Sequence, residues 1–365
     1  MLERVPEKLK DFSEQNTLTA ERFNGLSQQQ YVLINPDTFP AIPSLSSLES
    51  SAVLPTLHTI SSSLRAPYLI QSSLGVERQL PKNTTLAVTY INSHGLHLLL
   101  SRNINAPFLD PVTHAPEAIV PFPGKGPVYE MESAGLYNQS QLMTNINSRL
   151  TPKISLMATY TLSYARSNTD GLGTFPADQY SMAGEYGPAA NDVRHRASLG
   201  GSIATRWGLQ WNPFIVLRSG IPFDIITSQD VYGDTVLSAR PGIATNPNQP
   251  GVIHTVYGLL DPDPSPGEAT LPRNSGRGPG QFTVNLRMAK IMRFGSPRQG
   301  KTDGPYSVTL SVSARNLLNH LNPGPVIGNI NSPLFGQSNQ IAAGYGAYQD
   351  SANNRRFEFG AKFAF

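Results

Sequence analysis

The residues able to do chemistry in this sequence are few, and their spacing decides little. His94 and His97 in SHGLH resemble a metal-ligand pair. Residues three apart on a strand face opposite sides of the sheet, however, which favours loop or rim histidines. Asp230 and Asp234 in DVYGD have the carboxylate spacing that calcium loops sometimes use. The longer ligand series of such a loop is absent, so a glycine-centred turn is the simpler reading. The glycine-rich stretches GKG and GRGPG lack the Lys followed by Ser or Thr that a phosphate loop needs. No GxSxG, HExxH or paired-carboxylate motif organises the histidines, serines and aspartates. The expectation is a protein that is not an enzyme, with no metal and no cofactor. Arg194 and Arg196 remain, on the polar side of an alternating stretch with Asp192 just before them. With Asp230 and Asp234 they are the candidate ligand-binding residues, in a lumen or a loop. The competing reading of the two arginines is an inward salt-bridge network that supports a wall.

These residues sit in an unusual composition. Charged residues make up 15% of the 365, against roughly 25% in an ordinary soluble domain. There are 31 Gly and 31 Pro, which suggests many turns. The net charge of +3 is small and its bases are scattered, so no nucleic-acid footprint is indicated. The chain has no cysteine, which excludes disulfides, thiolate metal sites and cysteine nucleophiles. The beginning lacks the basic-then-apolar layout of a secretory signal. No stretch reaches the roughly 18 consecutive apolar residues of a membrane helix.

What the sequence does carry is alternation. In YSVTLSVSAR, Tyr306, Val308, Leu310, Val312 and Ala314 share one face, opposite Ser307, Thr309, Ser311, Ser313 and Arg315. A strand turns successive side chains to opposite sides, so this is one apolar face and one polar, largely uncharged face. The same rule reads eight more strands: YLIQSSLGVERQL, TTLAVTYIN, LMTNINSRL, ISLMATYTLSY, RHRASLGGSIAT, LQWNPFIVLR, QFTVNLRMAKIMRF and the terminal RFEFGAKFAF. In the last, Phe357, Phe359, Phe363 and Phe365 fall on one face. Lys290 is the one charge on the apolar face of its strand, where it could snorkel.

Short and long connections alternate between these strands. The short ones are residues 81 to 83, 151 to 153, 206 to 208 and, somewhat longer, 295 to 305; the long ones run roughly from 101 to 136, 166 to 193, 219 to 280 and 316 to 353. In an up-and-down meander every second connection lies at the same end, so one rim has tight turns and the other large loops. Four loops of that size argue against an ordinary compact domain. The layout predicts an all-β fold, an antiparallel up-and-down transmembrane β-barrel with long extracellular loops, lipid on the apolar face and the polar face lining a lumen. A sheet in lipid must close, because lipid offers the backbone no hydrogen bonds. Nine strands is odd where bacterial barrels are even, so either AVLPTLHTI within residues 1–67 adds a strand or the chain forms a partial barrel of about 9–11 strands. Tyr90, Tyr160, Tyr164, Trp211, Tyr306 and Phe365 suit the aromatic girdles.

Several segments taken together resemble one family, the Oar-like TonB-dependent receptors. They are LGVERQLPKNTTLAVTYINSHGLHLLLSRNINAP, PKISLMATYTLSYARSNTD, NDVRHRASLGGSIATRWGL, RSGIPFDIITSQDVYGDT, LPRNSGRGPGQFTVNLRMAK, SARNLLNHLNP and the terminal aromatic strand, in order from about residue 68 to 365. The resemblance implies that residues 68–365 are the C-terminal part of a receptor barrel of 22 strands, and that residues 1–67 are an extracellular loop or disordered lead segment. It implies location in the cell outer membrane and uptake of a nutrient, a carbohydrate or a siderophore-type ligand. Arg194 and Arg196 would then contact a plug or an anionic ligand. Phe357, Phe359, Phe363 and above all Phe365 would form the signal read by the barrel-assembly machinery. The expected partners are outer-membrane lipid, that machinery, and the TonB complex through a plug. The regulatory domain, plug and TonB box of that family have no counterpart in this sequence. The alternative function is a small stand-alone outer-membrane pore or adhesion barrel without TonB coupling.

Overall fold

A computed structural model describes residues 30–31, 43–205, 207–264, 268–295, 306–342 and 354–364. Nine long strands dominate it: β1 (Tyr68–Leu80), β2 (Thr84–Asn103), β3 (Val128–Thr151), β4 (Ile154–Ser167), β5 (His195–Ala204), β6 (Leu209–Arg218), β7 (Gln281–Phe294), β8 (Tyr306–Arg315) and β9 (Arg356–Ala364). Each pairs antiparallel with the next in chain order, giving the up-and-down meander that the alternation predicts. Two short strands join the same sheet and bring it to 11.

Register carries the two faces across the sheet. Ile154 stands opposite Ile203, Ile203 opposite Trp211, Trp211 opposite Met288, Met288 opposite Val312, and Val312 opposite Phe359. One apolar row thus crosses six strands without a polar member. One residue along, on the other face, Asn212 stands opposite Arg287, Arg287 opposite Ser313 and Ser313 opposite Glu358. A slip of one residue in any pair would exchange the faces, so this pattern specifies the register strongly. Much of the apolar face is exposed: Phe359 is 81% and Phe363 55% accessible, values suited to a face that meets lipid rather than a core. The girdle candidates Tyr90, Tyr160, Tyr164, Trp211 and Tyr306 are exposed too.

The short connections are tight. Between β1 and β2, Lys82 and Asn83 both take positive φ, 61° and 48°, which gives a reversal matched to the strand twist. Between β3 and β4, Thr151 pairs Ile154 and leaves only Pro152 and Lys153 to turn.

Two expectations need correction. The first long excursion is shorter than 101 to 136, because β2 continues to Asn103 and β3 begins at Val128; Ser101, Arg102 and Asn103 pair with Met131, Glu130 and Tyr129. A membrane crossing takes only about 9–11 residues, so these strands of 20 and 24 residues project well past it. Outside lipid nothing enforces apolar-polar alternation, and the sequence signal fades while the strands persist. The second correction concerns AVLPTLHTI. Its residues Leu57–Ile60 form a strand of four, but it runs parallel to Val128–Met131 at the loop end of β3 and does not extend the meander. The barrel is not closed: among the described residues β1 and β9 are the free ends of the sheet and do not pair with each other.

Candidate functional site

The four long connections fold together at one rim. Residues 219 to 280 contribute a small three-stranded sheet, Gly242–Ile243, Ile253–Thr255 and Gly258–Asp261. Beneath it Ile225, Leu260 and Leu271 are buried with Ile330 of the last loop, and Phe223, Ile253, Tyr257 and Phe335 pack around them. The two loops also join through a bridge between Ile226 and Asn329. They approach so closely that a Cβ on Gly328 would lie 1.9 Å from the Asp224 carbonyl, which only glycine permits. The first loop is tied in by Asn103 donating to the Asp234 carbonyl and by Tyr180 donating to that of Ala106. The outer end of the molecule is therefore a packed layer.

Charge does much of the tying. The Arg240 guanidinium makes paired hydrogen bonds to Glu185, at 2.8 and 2.6 Å, and also reaches Asp224 at 3.4 Å. Arg273 bridges Asp170 at 2.5 Å and lies 3.7 Å from Glu185. Arg240 and Glu185 are 2% and 1% exposed, so this network is inside the layer and clamps the second loop to the third. Burial opposes the Arg240 charge, but the Glu185 hydrogen bonds and the Asp224 charge hold its pKa above the usual value. Burial raises the Asp224 carboxyl, with Arg240 opposing it. A second cluster surrounds the fully buried Asp192, which receives Arg277 at 2.6 Å, Arg194 at 3.1 Å and the Ala165 N–H. Burial would raise its pKa; the Ala165 N–H and the two arginines outweigh that and lower it.

Next to the first network is a cavity of about 400 Å³. Three loops line it, through His114, then Asp178 and Ser181, then Tyr232, Arg240 and Glu268. Burial and the nearby Asp178 charge push the Tyr232 phenol up, so it stays a hydrogen-bond donor. With Arg240 already neutralised by Glu185, the wall offers hydroxyls and carboxylates and little free positive charge.

The sequence candidates fall in different places. Arg194 leaves the lumen face expected of it: it precedes β5, and its guanidinium lies 3.7 Å over the ring of Tyr164 while it pairs with Asp192. Its reason is local, since the chain bends there and the buried Asp192 draws it. Arg196 is on the polar face of β5, opposite Thr161 and Arg218. Asp230 caps the turn at Gly233 by accepting the N–H groups of Asp234 and Thr235. Asp234 is 2% exposed, and its Oδ2 has no hydrogen-bond partner. Burial and the charge of Asp230 raise its pKa to about 6, against the opposing Val236 N–H. No hydrogen bond or ion pair joins the two arginines to the two aspartates among the described residues. Phe357, Phe359 and Phe363 share the lipid-side row, while Phe365 lies outside the described residues. His94 hydrogen-bonds Asn138, and His97, with φ of 56° at a bulge, packs edge-on against Tyr68.

A family model described as an outer membrane beta barrel domain matches residues 6–356. The chain belongs to this family. Its place is accordingly the outer membrane, with the apolar rows of this outer-membrane barrel domain against lipid. Among solved structures it is similar to the outer membrane transporter YddB from Escherichia coli, at 13% identity and a TM-score of 0.46, with 85% of this chain aligned to 34% of that one. It is also similar to the FrpB iron transporter from Neisseria meningitidis, at 12% identity and a TM-score of 0.38, with 73% aligned to 29%. The chain thus spans about a third of the length of these structures. No curated protein matches it.

Sequence reasoning missed Glu185, Arg240, Arg273, Asp170 and Asp224. Arg273 and Arg277 do lie in the quoted LPRNSGRGPG, and Asp224 and Arg240 in the loop of Asp230. Nothing in a glycine- and proline-rich loop, however, separates a buried charge from a solvated one.

Proposed function

We propose that this barrel domain is wall and mouth of a TonB-dependent receptor that takes up a nutrient across the outer membrane, and that its role is transport rather than catalysis. The observation that carries this reading is the loop layer: four long connections packed by an internal charge network around a polar cavity, at the rim opposite the tight turns. A passive pore needs no such layer, and a stand-alone barrel would pair its first and last strands. In this reading TonB acts through a plug distinct from these strands, the lumen wall holds that plug, and the barrel-assembly machinery reads the aromatic last strand.

Between the two ligand classes, the cavity favours a carbohydrate. Asp178, Ser181, Tyr232 and Glu268 suit the hydroxyls of a sugar, and an anionic siderophore would meet two carboxylates and, among the described lining residues, no unpaired lysine or arginine. The test is uptake of labelled oligosaccharides by the native host, in parental cells and in cells lacking TonB. Asp178→Ala together with Glu268→Ala should reduce uptake at least tenfold with the barrel still in the membrane. Uptake that persists without TonB would favour a passive pore, and uptake indifferent to both substitutions would remove the cavity from the account.

A further inference from the structure

On the lipid-side face of β7, Lys290 stands in an otherwise apolar row: it lies directly between Leu209 of β6 and Leu310 of β8, and Leu310 in turn faces Ala361 of β9. The preceding and following residues on its face are Met288 and Met292. Its side chain is exposed, and no ion pair or hydrogen bond to it is found among the described residues. An ammonium facing hydrocarbon is costly at the midplane and far less so at the interface.

The stagger of the hairpins sets its depth. Leu209 is the first residue of β6, just past the turn at Gly208, so Lys290 is level with the end of that hairpin. The β7 and β8 strands run four residues further, to the stacked rings of Phe294, Tyr306 and Phe363. Lys290 therefore lies at the membrane interface on its β6 side and deeper on its β8 side. On that deeper side an almost wholly apolar groove of about 510 Å³ begins at the lysine. It is lined by Met288, Leu310, Val312 and Phe359, with Ala361 leaving room between the larger side chains.

We propose that Lys290 and this groove hold one anionic phospholipid from the leaflet at the short-turn rim, its phosphate against the ammonium and an acyl chain along the groove. A phosphate supplies the counter-charge that no described side chain provides, and Ala361 beside Leu310 gives a chain-width depression where a row of leucines would be flat. A phosphate free in solution would gain only the ammonium, whereas the groove selects the chain attached to it.

The two tryptophans of the chain provide the readout, since Trp211 stands directly opposite Met288 and Trp207 is exposed at the adjoining turn. The full chain is reconstituted in phosphatidylcholine bilayers containing a small fraction of dibrominated phosphatidylglycerol or, in parallel, dibrominated phosphatidylcholine, and quenching of tryptophan fluorescence is followed. The expected result is about fivefold stronger apparent association of the phosphatidylglycerol, the factor one basic residue at an anionic surface is ordinarily worth. Lys290→Gln should abolish the preference and Lys290→Arg should keep it. Lys362→Gln, on the opposite face of β9 against Thr309, should leave it unchanged. Equal quenching by the two lipids in the wild type overturns the proposal, even if the Gln variant does not insert. A preference that survives Lys290→Gln also overturns it, because it would then arise from the general charge of the rim.

Discussion

Two buried groups make the loop layer sensitive at the level of single residues. Asp234 has its carboxyl raised from 3.8 to about 6, so the folded layer prefers its protonated form. Stability from this group is fully present below pH 3.8 and is lost as pH rises through about 6, on the order of 3 kcal/mol at 1.36 per pKa unit. Asp234→Asn should therefore decline less steeply in melting temperature than the wild type between pH 4 and 7, what decline remains coming from the raised Asp224; parallel declines would show that Asp234 is not the titrating group. The Arg240 and Glu185 pair behaves differently. Removing Arg240 strips the buried Glu185 of its paired hydrogen bonds and leaves it Arg273, at 3.7 Å, as ion-pair partner, a loss of about 3–5 kcal/mol, whereas replacing both by apolar residues costs less. Limited proteolysis should find the loops of Arg240→Ala cut quickly and those of Glu185→Leu/Arg240→Leu largely protected, with the membrane-embedded strands intact in both. Of these residues only Asp234 stood out in the sequence, as part of DVYGD, where a glycine-centred turn is the simpler reading; the structure holds that turn, with Asp230 as its cap.

At the level of strands, the account rests on two faces kept in register. Leu199 of β5 lies on the apolar row between Ala158 and Ile215, and its neighbour Ser198 lies on the polar face between Thr159 and Val216. Leu199→Arg should destabilise the barrel by about 2–4 kcal/mol, if the site is near the midplane, and Ser198→Arg by much less, as read from urea unfolding in lipid. Equal effects would mean that the two faces see the same environment. Phe363 packs against Phe294 and Tyr306, closing the last hairpin at the short-turn rim. Phe363→Ser should lower the amount of protein inserted in the outer membrane several-fold without changing its synthesis. All nine of these strands were legible in the sequence, because lipid on one side and water on the other impose a strict period of two. The upper halves of β2 and β3 were not, because LHLLLSRN and VYEMESAG pair above the membrane, where both faces meet loops and the period is free to lapse. The loop network was illegible for a related reason: its partners, such as Asp170 and Arg273, are 103 residues apart and joined only by the fold.

For the whole molecule, the meander of nine strands leaves β1 and β9 running in the same direction, so pairing them directly would make one parallel seam. An odd number of further strands between them is what an entirely antiparallel closure requires. The alternating short and long connections, read from the sequence and found in the structure, give the domain a polarity: tight turns at one rim, a packed loop layer at the other. That polarity is the central claim, since the proposed ligand capture requires the layer to face outward. The chain has no cysteine, so single cysteines can be placed without background. The most direct measurement is labelling of intact cells with a membrane-impermeant maleimide, using His114→Cys in the cavity wall and Lys82→Cys and Lys153→Cys in the tight turns. The account predicts that the first is labelled on intact cells and the other two only after the outer membrane is opened. Labelling of the turn cysteines on intact cells, with His114→Cys protected, would contradict it.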